Sequence, residues 1–263
     1  MKRFASLAAL LALGALVAAD PASAGIGIRV SGDLSYVSYG DFNDFAEYIN
    51  TEVLAASGAS GEIGAIHWVP ELRGEIVLPI APMLDLGIGA GIVMGKSEFS
   101  FGAAGDRFDY EHTVKAYPVT ATVYVDLPLL PFARPYAFGG GGLYYTKLSF
   151  DNTVTVGGTT TGFGAELTKW GFGLHGGAGL SFSLSPMVTF DIGAKGRWAK
   201  IAGFEGAATT TDGEVIDVFL ASYVDDEGGL NFGPEATTDK GAYGEGAVDL
   251  SGFAFTLTLV VAF

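Results

Sequence analysis

Phe253-Ala254-Phe255-Thr256-Leu257-Thr258-Leu259-Val260-Val261-Ala262-Phe263 ends the chain with an apolar residue at every second place. Successive side chains of a β-strand point to opposite faces, so this stretch has one wholly apolar face and predicts a strand with a greasy exterior. Working back, Gly25 to Tyr39 has the same period: Ile26, Ile28, Val30, Leu34 and Tyr36 alternate with positions that include Arg29, Ser31, Asp33 and Ser35. Six further stretches repeat it, about Ile63 to Leu78, Met83 to Phe99, Thr113 to Leu127, Arg134 to Phe150, Leu167 to Leu184 and Met187 to Gly203. The terminal strand begins near Ala247, which makes eight staves. Each exceeds the roughly 9 to 11 residues that cross a bilayer as a tilted strand, so the staves can project beyond one side.

The connections alternate between two kinds. Those around Pro79 to Pro82, Leu129 to Ala133 and Ser185 to Pro186 are short and contain proline, whereas Gly40 to Glu62, Gly102 to His112, Asp151 to Glu166 and Phe204 to Gly246 are long and polar. Short turns on one side and long loops on the other are the habit of transmembrane β-barrels. The fold expected is therefore all-β: a transmembrane, antiparallel, up-and-down barrel of eight strands spanning 25–263. No segment after the N-terminus has the roughly 18 to 20 uninterrupted apolar residues of a spanning helix. Residues 1–24 read as a cleaved signal peptide, with Lys2 and Arg3, an apolar run from Phe4 to Ala19, and Ala22-Ser23-Ala24 as cleavage site.

Composition excludes several classes. The chain has no cysteine, which rules out disulfides, thiolate metal sites and a lipidated N-terminal Cys. A net charge of −15 argues against nucleic acid as a partner, while divalent cations remain candidates. If apolar parity marks the lipid face, Tyr36, Trp68, Tyr117, Tyr144, Trp170, Trp198 and Phe253 form an aromatic girdle near the outer ends of the staves. The opposite parity sends Glu71, Arg73, Glu75, Asp191, Lys195 and Arg197 into the lumen, with Arg29, Asp33, Asp85, Asp126 and Lys169. Inward glycines on the third and sixth staves, such as Gly87, Gly89, Gly171 and Gly173, leave room for these long neighbours. Eight strands enclose a space only wide enough for side chains, so a plugged polar lumen is expected rather than a wide pore.

On the terminal strand with its final Phe263, and more weakly on Pro135-Tyr136-Ala137-Phe138 followed by four glycines, the chain resembles the small eight-stranded outer-membrane barrels, the OmpA-, OmpX- and OmpW-like proteins. The resemblance covers Gly25 to Phe263. It implies a monomer in the bacterial outer membrane, among lipid and lipopolysaccharide, with Phe263 in the signal read by the barrel-assembly machinery. That family shares no catalytic residues, so the activity stays open.

The loops and histidines carry what remains. Phe42, Phe45, Ile49 and Val53 recur at three- and four-residue steps behind Asp41 and Asn43, which predicts a short amphipathic helix over the barrel mouth. Val215 to Val224 reads as a helix or an extra hairpin, and Asp225, Asp226 and Glu227 form an acidic patch for a cation or a partner. His175 is expected inside the barrel, His67 inward at the rim, and His112 in the second long loop; none has a metal-ligand partner at local spacing. No cofactor, metal site or catalytic set is read. A structural or surface-interaction role is the first reading, a narrow channel for small or hydrophobic solutes the second, and a lipid-modifying enzyme the third. If the terminal alternation is the insertion signal, deleting Phe263 should lower the fraction recovered in heat-resistant, gel-shifted form.

Overall fold

A computed structural model of the chain describes residues 25–57, 61–103, 106–127, 133–225, 229–239 and 242–263, so the export segment lies outside the described residues. Strands β1 (Gly27–Val37), β2 (Trp68–Ala81), β3 (Leu84–Ala103), β4 (Asp106–Asp126), β5 (Arg134–Val156), β6 (Thr159–Ser183) and β7 (Val188–Trp198) run in sequence. Four short strands follow, β8 (Lys200–Ala202), β9 (Glu205–Thr210), β10 (Val215–Val224) and β11 (Leu230–Ala236), then β12 (Ala247–Asp249) and the terminal β13 (Gly252–Ala262). Neighbours β1 to β7 pair antiparallel, β7 pairs with β13, and β13 pairs with β1, which closes a ring of eight.

The ring closes with a stagger. Following directly opposite residues from Leu174 on β6 through Gly141, Ala121, Ile88, Ile76, Ile28 and Val261 leads to Val188 on β7, yet Leu174 itself lies opposite Trp198, ten residues further on. A stagger of this size tilts eight strands by about 40° to the barrel axis.

The wall is uneven in height. β1, β7 and β13 have 11 residues each, whereas β3 to β6 have 20 to 25. Two of the long connections read from the sequence, 102–112 and 151–166, are therefore strand for most of their length, paired as far as Ala103 with Asp106 and Val156 with Thr159. The lower part of β6 pairs with β7 and its upper part with β9, so β9, β10 and β11 extend the tall side as a further sheet. The Val215 to Val224 segment is thus one arm of an added hairpin, and not a helix.

Parity is constant along each strand, but its chemistry changes with height. In the lower barrel the outward residues Leu34, Leu72, Ile88, Val119, Leu143, Phe172, Ile192 and Leu257 are exposed, and the inward side includes charged and hydroxyl-bearing residues such as Glu71, Arg73, Glu75, Thr256 and Thr258. Apolar outside and polar inside is the reverse of a water-soluble sandwich and fits a wall bathed in hydrocarbon. Above the girdle the inward residues turn apolar: Val114, Leu148, Phe150, Leu167, Phe204, Leu220, Phe232 and Leu250 form one buried cluster, a dome that roofs the barrel.

Helix α1 (Asp41–Tyr48) lies under this roof, entered through Gly40 at φ 52°. Phe42 and Ala46 are buried in the dome, and Phe45 and Ile49 pack against it. Val53 departs from the sequence reading and faces outward, with Leu54 buried in its place. The reason is that residues Ile49–Leu54 wind as a π-helix, which takes more than 3.6 residues per turn and delays the inward position. Asn43 ties the helix to the entry of β2: its amide donates to the Ile66 carbonyl at 3.0 Å and accepts from the Ile66 N–H at 2.9 Å. The membrane reading of the lower wall is testable at Leu257, exposed on the outer face near mid-depth. Leu257→Arg should cost about 2 to 4 kcal/mol in lipid-bilayer unfolding titrations, whereas a wall facing water would lose almost nothing.

Candidate functional site

The inward faces of β1, β2 and β7 bring eight charged side chains together: Arg29, Arg73, Lys195 and Arg197 against Asp33, Glu71, Glu75 and Asp191, all buried. The four cations and four anions of this buried set balance one another, with Asp85 and Asp126, half-buried, at the lower end of β3 and β4. Arg29 donates to Asp191 at 2.5 Å, and Asp191 also accepts from Ser181 at 2.6 Å. Lys195 pairs with Asp33 and, at 2.9 Å, with Glu71, which in turn accepts from Arg197 at 2.8 Å. β1 and β7 are separated by β13 in the ring, so the Arg29 and Lys195 pairs bridge over β13 instead of joining adjacent strands.

A second group surrounds Glu75. It accepts from the Tyr124 hydroxyl at 2.5 Å and from Thr122 at 3.1 Å, with Arg73 at 3.7 Å. Thr122 Oγ1 is also 2.9 Å from His175 Nε2. A hydroxyl has a single proton; if Thr122 gives it to Glu75, His175 is the donor through Nε2–H. The Arg29 guanidinium lies over the Tyr124 ring at 4.2 Å and near Tyr136 at 5.3 Å. Tyr124, Tyr136 and Phe138 make a small inner cluster that the sequence reading missed. Counting parity upward from inward-facing Asp126 would have found Tyr124.

Six of the seven girdle aromatics point outward. Tyr36 stacks on Phe253 at 5.3 Å and meets Trp68 edge-on, Tyr117 stacks on Tyr145, and Trp68, Trp170 and Trp198 are each more than half exposed. Tyr144 is a correction. It is 2% exposed and belongs to the dome, and its neighbour Tyr145 takes the outer place beside Trp170 at 5.1 Å. Parity could not separate the two, because four side-chain-free glycines precede them and at this height both faces of the wall are apolar.

Other expectations change place. His112 is within β4, fully buried, and its Nε2 is 2.8 Å from the Tyr39 hydroxyl among Phe42, Phe150 and Phe232. His67 does not point inward; its ring stacks on outward Tyr36 at 5.2 Å. Lys169 is exposed near the mouth instead of joining the lumen network. Gly171 and Gly173 do make room, but for β8 and its approach: a Cβ on either would lie 2.6 Å from Ile201 and 2.8 Å from Ala199 respectively. Of the acidic patch only Asp225 is described; it accepts from the Gly229 N–H at 2.7 Å and from Asn231 at 3.0 Å, while Asp226 and Glu227 lie outside the described residues. Phe263 donates its N–H to the Ile26 carbonyl at 3.0 Å, at the seam of the ring.

No family model matches the chain, and no curated protein matches its sequence. Among solved structures it is similar to a major outer membrane protein of Thermus thermophilus, at 12% identity over 90% of this chain and 99% of the other, with a TM-score of 0.42. It is similar to the outer membrane protein OprG of Pseudomonas aeruginosa at 12% identity over 90% and 96%, TM-score 0.43. Neisserial surface protein A gives 13% identity over 90% and 97%, TM-score 0.41. At these scores the barrel assignment rests on the strand closure and the apolar wall described above.

The dome lies outside the membrane, and burial there holds the His112 imidazole down to about 3 from its ordinary 6.5. The unfolded dome therefore binds a proton below about pH 6.5 that the folded one refuses, so the stability from a neutral His112 is complete above that pH and is lost as pH falls toward 3. Amide hydrogen exchange in α1, corrected for intrinsic rates, should show faster opening at about pH 4.5 than at about pH 7.5, and His112→Gln should flatten that difference. By its ring closure, lipid-facing wall and aromatic belt, the chain is an eight-stranded transmembrane β-barrel of the bacterial outer membrane.

Proposed function

We propose that the protein is a closed outer-membrane barrel with a structural or surface-interaction role, and not a channel or a catalyst. The observation that carries this reading is the double filling of the bore: a neutral network of eight charges at membrane depth and an apolar dome above it. An ion entering would have to replace its hydration shell with groups already paired to one another, then cross a dry roof. The second reading, passage of small or hydrophobic solutes, is disfavoured by the same double filling. The third, lipid modification around His112, is disfavoured because that imidazole is enclosed by aromatic rings and bonded to Tyr39. Among the described residues no group of three or more His, Asp or Glu side chains is arranged to hold a metal ion, so divalent cations enter the proposal only as bulk partners of the acidic exterior.

The tall side of the wall and the added β9–β11 sheet supply the surface that such a role needs. Loop four, from Phe204 to Gly246, has ten acidic residues against Lys240 alone, far more chain than closing two neighbouring strands takes. In planar bilayers the intact protein should stay silent, and stable nanosiemens-scale openings would refute the reading. Lys195→Met should destabilise the barrel by about 3 to 5 kcal/mol, because Asp33 loses its partner in a buried site. It should leave conductance low, since the dome is untouched.

A further inference from the structure

The chain has 14 basic residues against 29 acidic ones, yet three of its lysines stand side by side on the outer wall: Lys96 on β3, Lys115 on β4 and Lys147 on β5. Lys115 and Lys147 are directly opposite each other. Two residues closer to the membrane on each strand, Tyr117 and Tyr145 are likewise opposite, and Tyr145 faces Trp170. The lysine pair is therefore the first rung beyond the aromatic belt. Strand tilt brings in the third: a line of opposite residues drops toward the periplasm as it passes from β6 to β3, so Lys96, one rung higher than Met94, comes level with the other two.

The three lysines meet three carboxylates, Glu98, Glu111 and Glu166, but the pairing is uneven. Lys96 is held by Glu98 and, at 3.1 Å, by Glu111, and Lys147 by Glu166, but among the described residues no carboxylate pairs with Lys115. Like charges directly opposite on a sheet destabilise it. Beside them Lys96 and Lys115 line an external groove of about 710 Å³, with Trp68, Pro70 and Met94 on its apolar side. Lysine stems that merely reach for water would not need an unmatched neighbour or a groove.

We infer that Lys96, Lys115 and Lys147 with this groove form a site on the outer wall for the phosphate-bearing headgroup of an outer-leaflet lipid. The phosphate sits between Lys115 and Lys147, with Lys96 at its edge, and the adjoining acyl portion lies against Trp68, Pro70 and Met94. Depth selects the anion: just beyond an aromatic belt, the fixed negative charges are lipid phosphates. The site lies on the lipid side of the wall and is independent of whether the bore conducts.

The test is retention of bis-phosphorylated lipid A, against its dephosphorylated counterpart, by the full mature chain in native mass spectrometry from detergent. The phosphorylated lipid should be retained in clear preference, and Lys115→Gln/Lys147→Gln should weaken it about 30-fold, whereas Lys115→Arg/Lys147→Arg should keep it. Gel mobility of unboiled samples reports whether each variant is folded. Equal retention of the dephosphorylated lipid by the unaltered protein overturns the proposal without recourse to any variant, as does unchanged retention by the folded glutamine variant. Inorganic phosphate in large excess should leave the lipid bound; displacement by it would make this a free-anion site and refute the lipid assignment.

Discussion

Pairing of β1 with β13 is the constraint on which the rest depends. A strand edge facing hydrocarbon leaves N–H and C=O groups with no water to bond, and each unsatisfied group costs several kcal/mol. Joining the first and last strands over eleven opposite pairs, Gly27 with Ala262 through Val37 with Gly252, removes the only long edges of the wall at membrane depth. Closure at eight strands with a stagger of ten then fixes the tilt and the bore. A bore of this width has no room for bulk water and must be filled by side chains that alternate with the lipid-facing ones. The apolar exterior thus obliges a polar interior of limited volume, and the glycines opposite the long charged residues follow from that volume. A Cβ on Gly89 would run into Glu75 and the Gly74 carbonyl.

Filling a narrow bore with charge is stable only when the charges match. Burying one ion costs more than a single good partner returns, so the groups at the centre of this network have two: Glu71 is shared by Lys195 and Arg197, and Asp191 by Arg29 and Ser181. The Arg29 and Lys195 pairs also join strands that do not touch through their backbones, bridging over β13. An apolar filling of equal volume would be at least as favourable in energy. It would, however, make both faces of each strand greasy and weaken the register, since a slip of one residue would no longer expose charge to lipid.

The ring, its eight staves and the inward residues of β1, β2 and β7 were legible in the sequence because polarity and parity agree at membrane depth. They stop agreeing above it. There the inward side is also apolar, and the same rule put Tyr144 on the wrong face, left His112 in a loop and ended β4, β5 and β6 six to eight residues short. The α1 helix was legible for its first two turns, from Phe42 and Phe45, and lost at Val53, where a π-turn changes the period without any mark in the residue pattern. Arg29, Asp33, Asp191 and Lys195 were all read as inward, but which of them pair was not, since a contact between strands that are not neighbours depends on a stagger that no local pattern encodes.

The two fillings of the barrel answer to different solvents, and this separates their roles. The charged network is surrounded by wall and lipid, so its job is to make a narrow ring stable and of one register. The dome stands in water on a wall that rises only over β3 to β6, and it is closed on the low side by α1, β8 and β12. Stability alone would be served by ending every strand at the girdle, as β1, β7 and β13 do within a few residues. Extending half the wall costs ordering entropy in every added residue and requires a separate apolar core to hold it. On the proposed surface role, the asymmetric extension belongs to what the protein presents outside the membrane, and the lumen to how it stays in it.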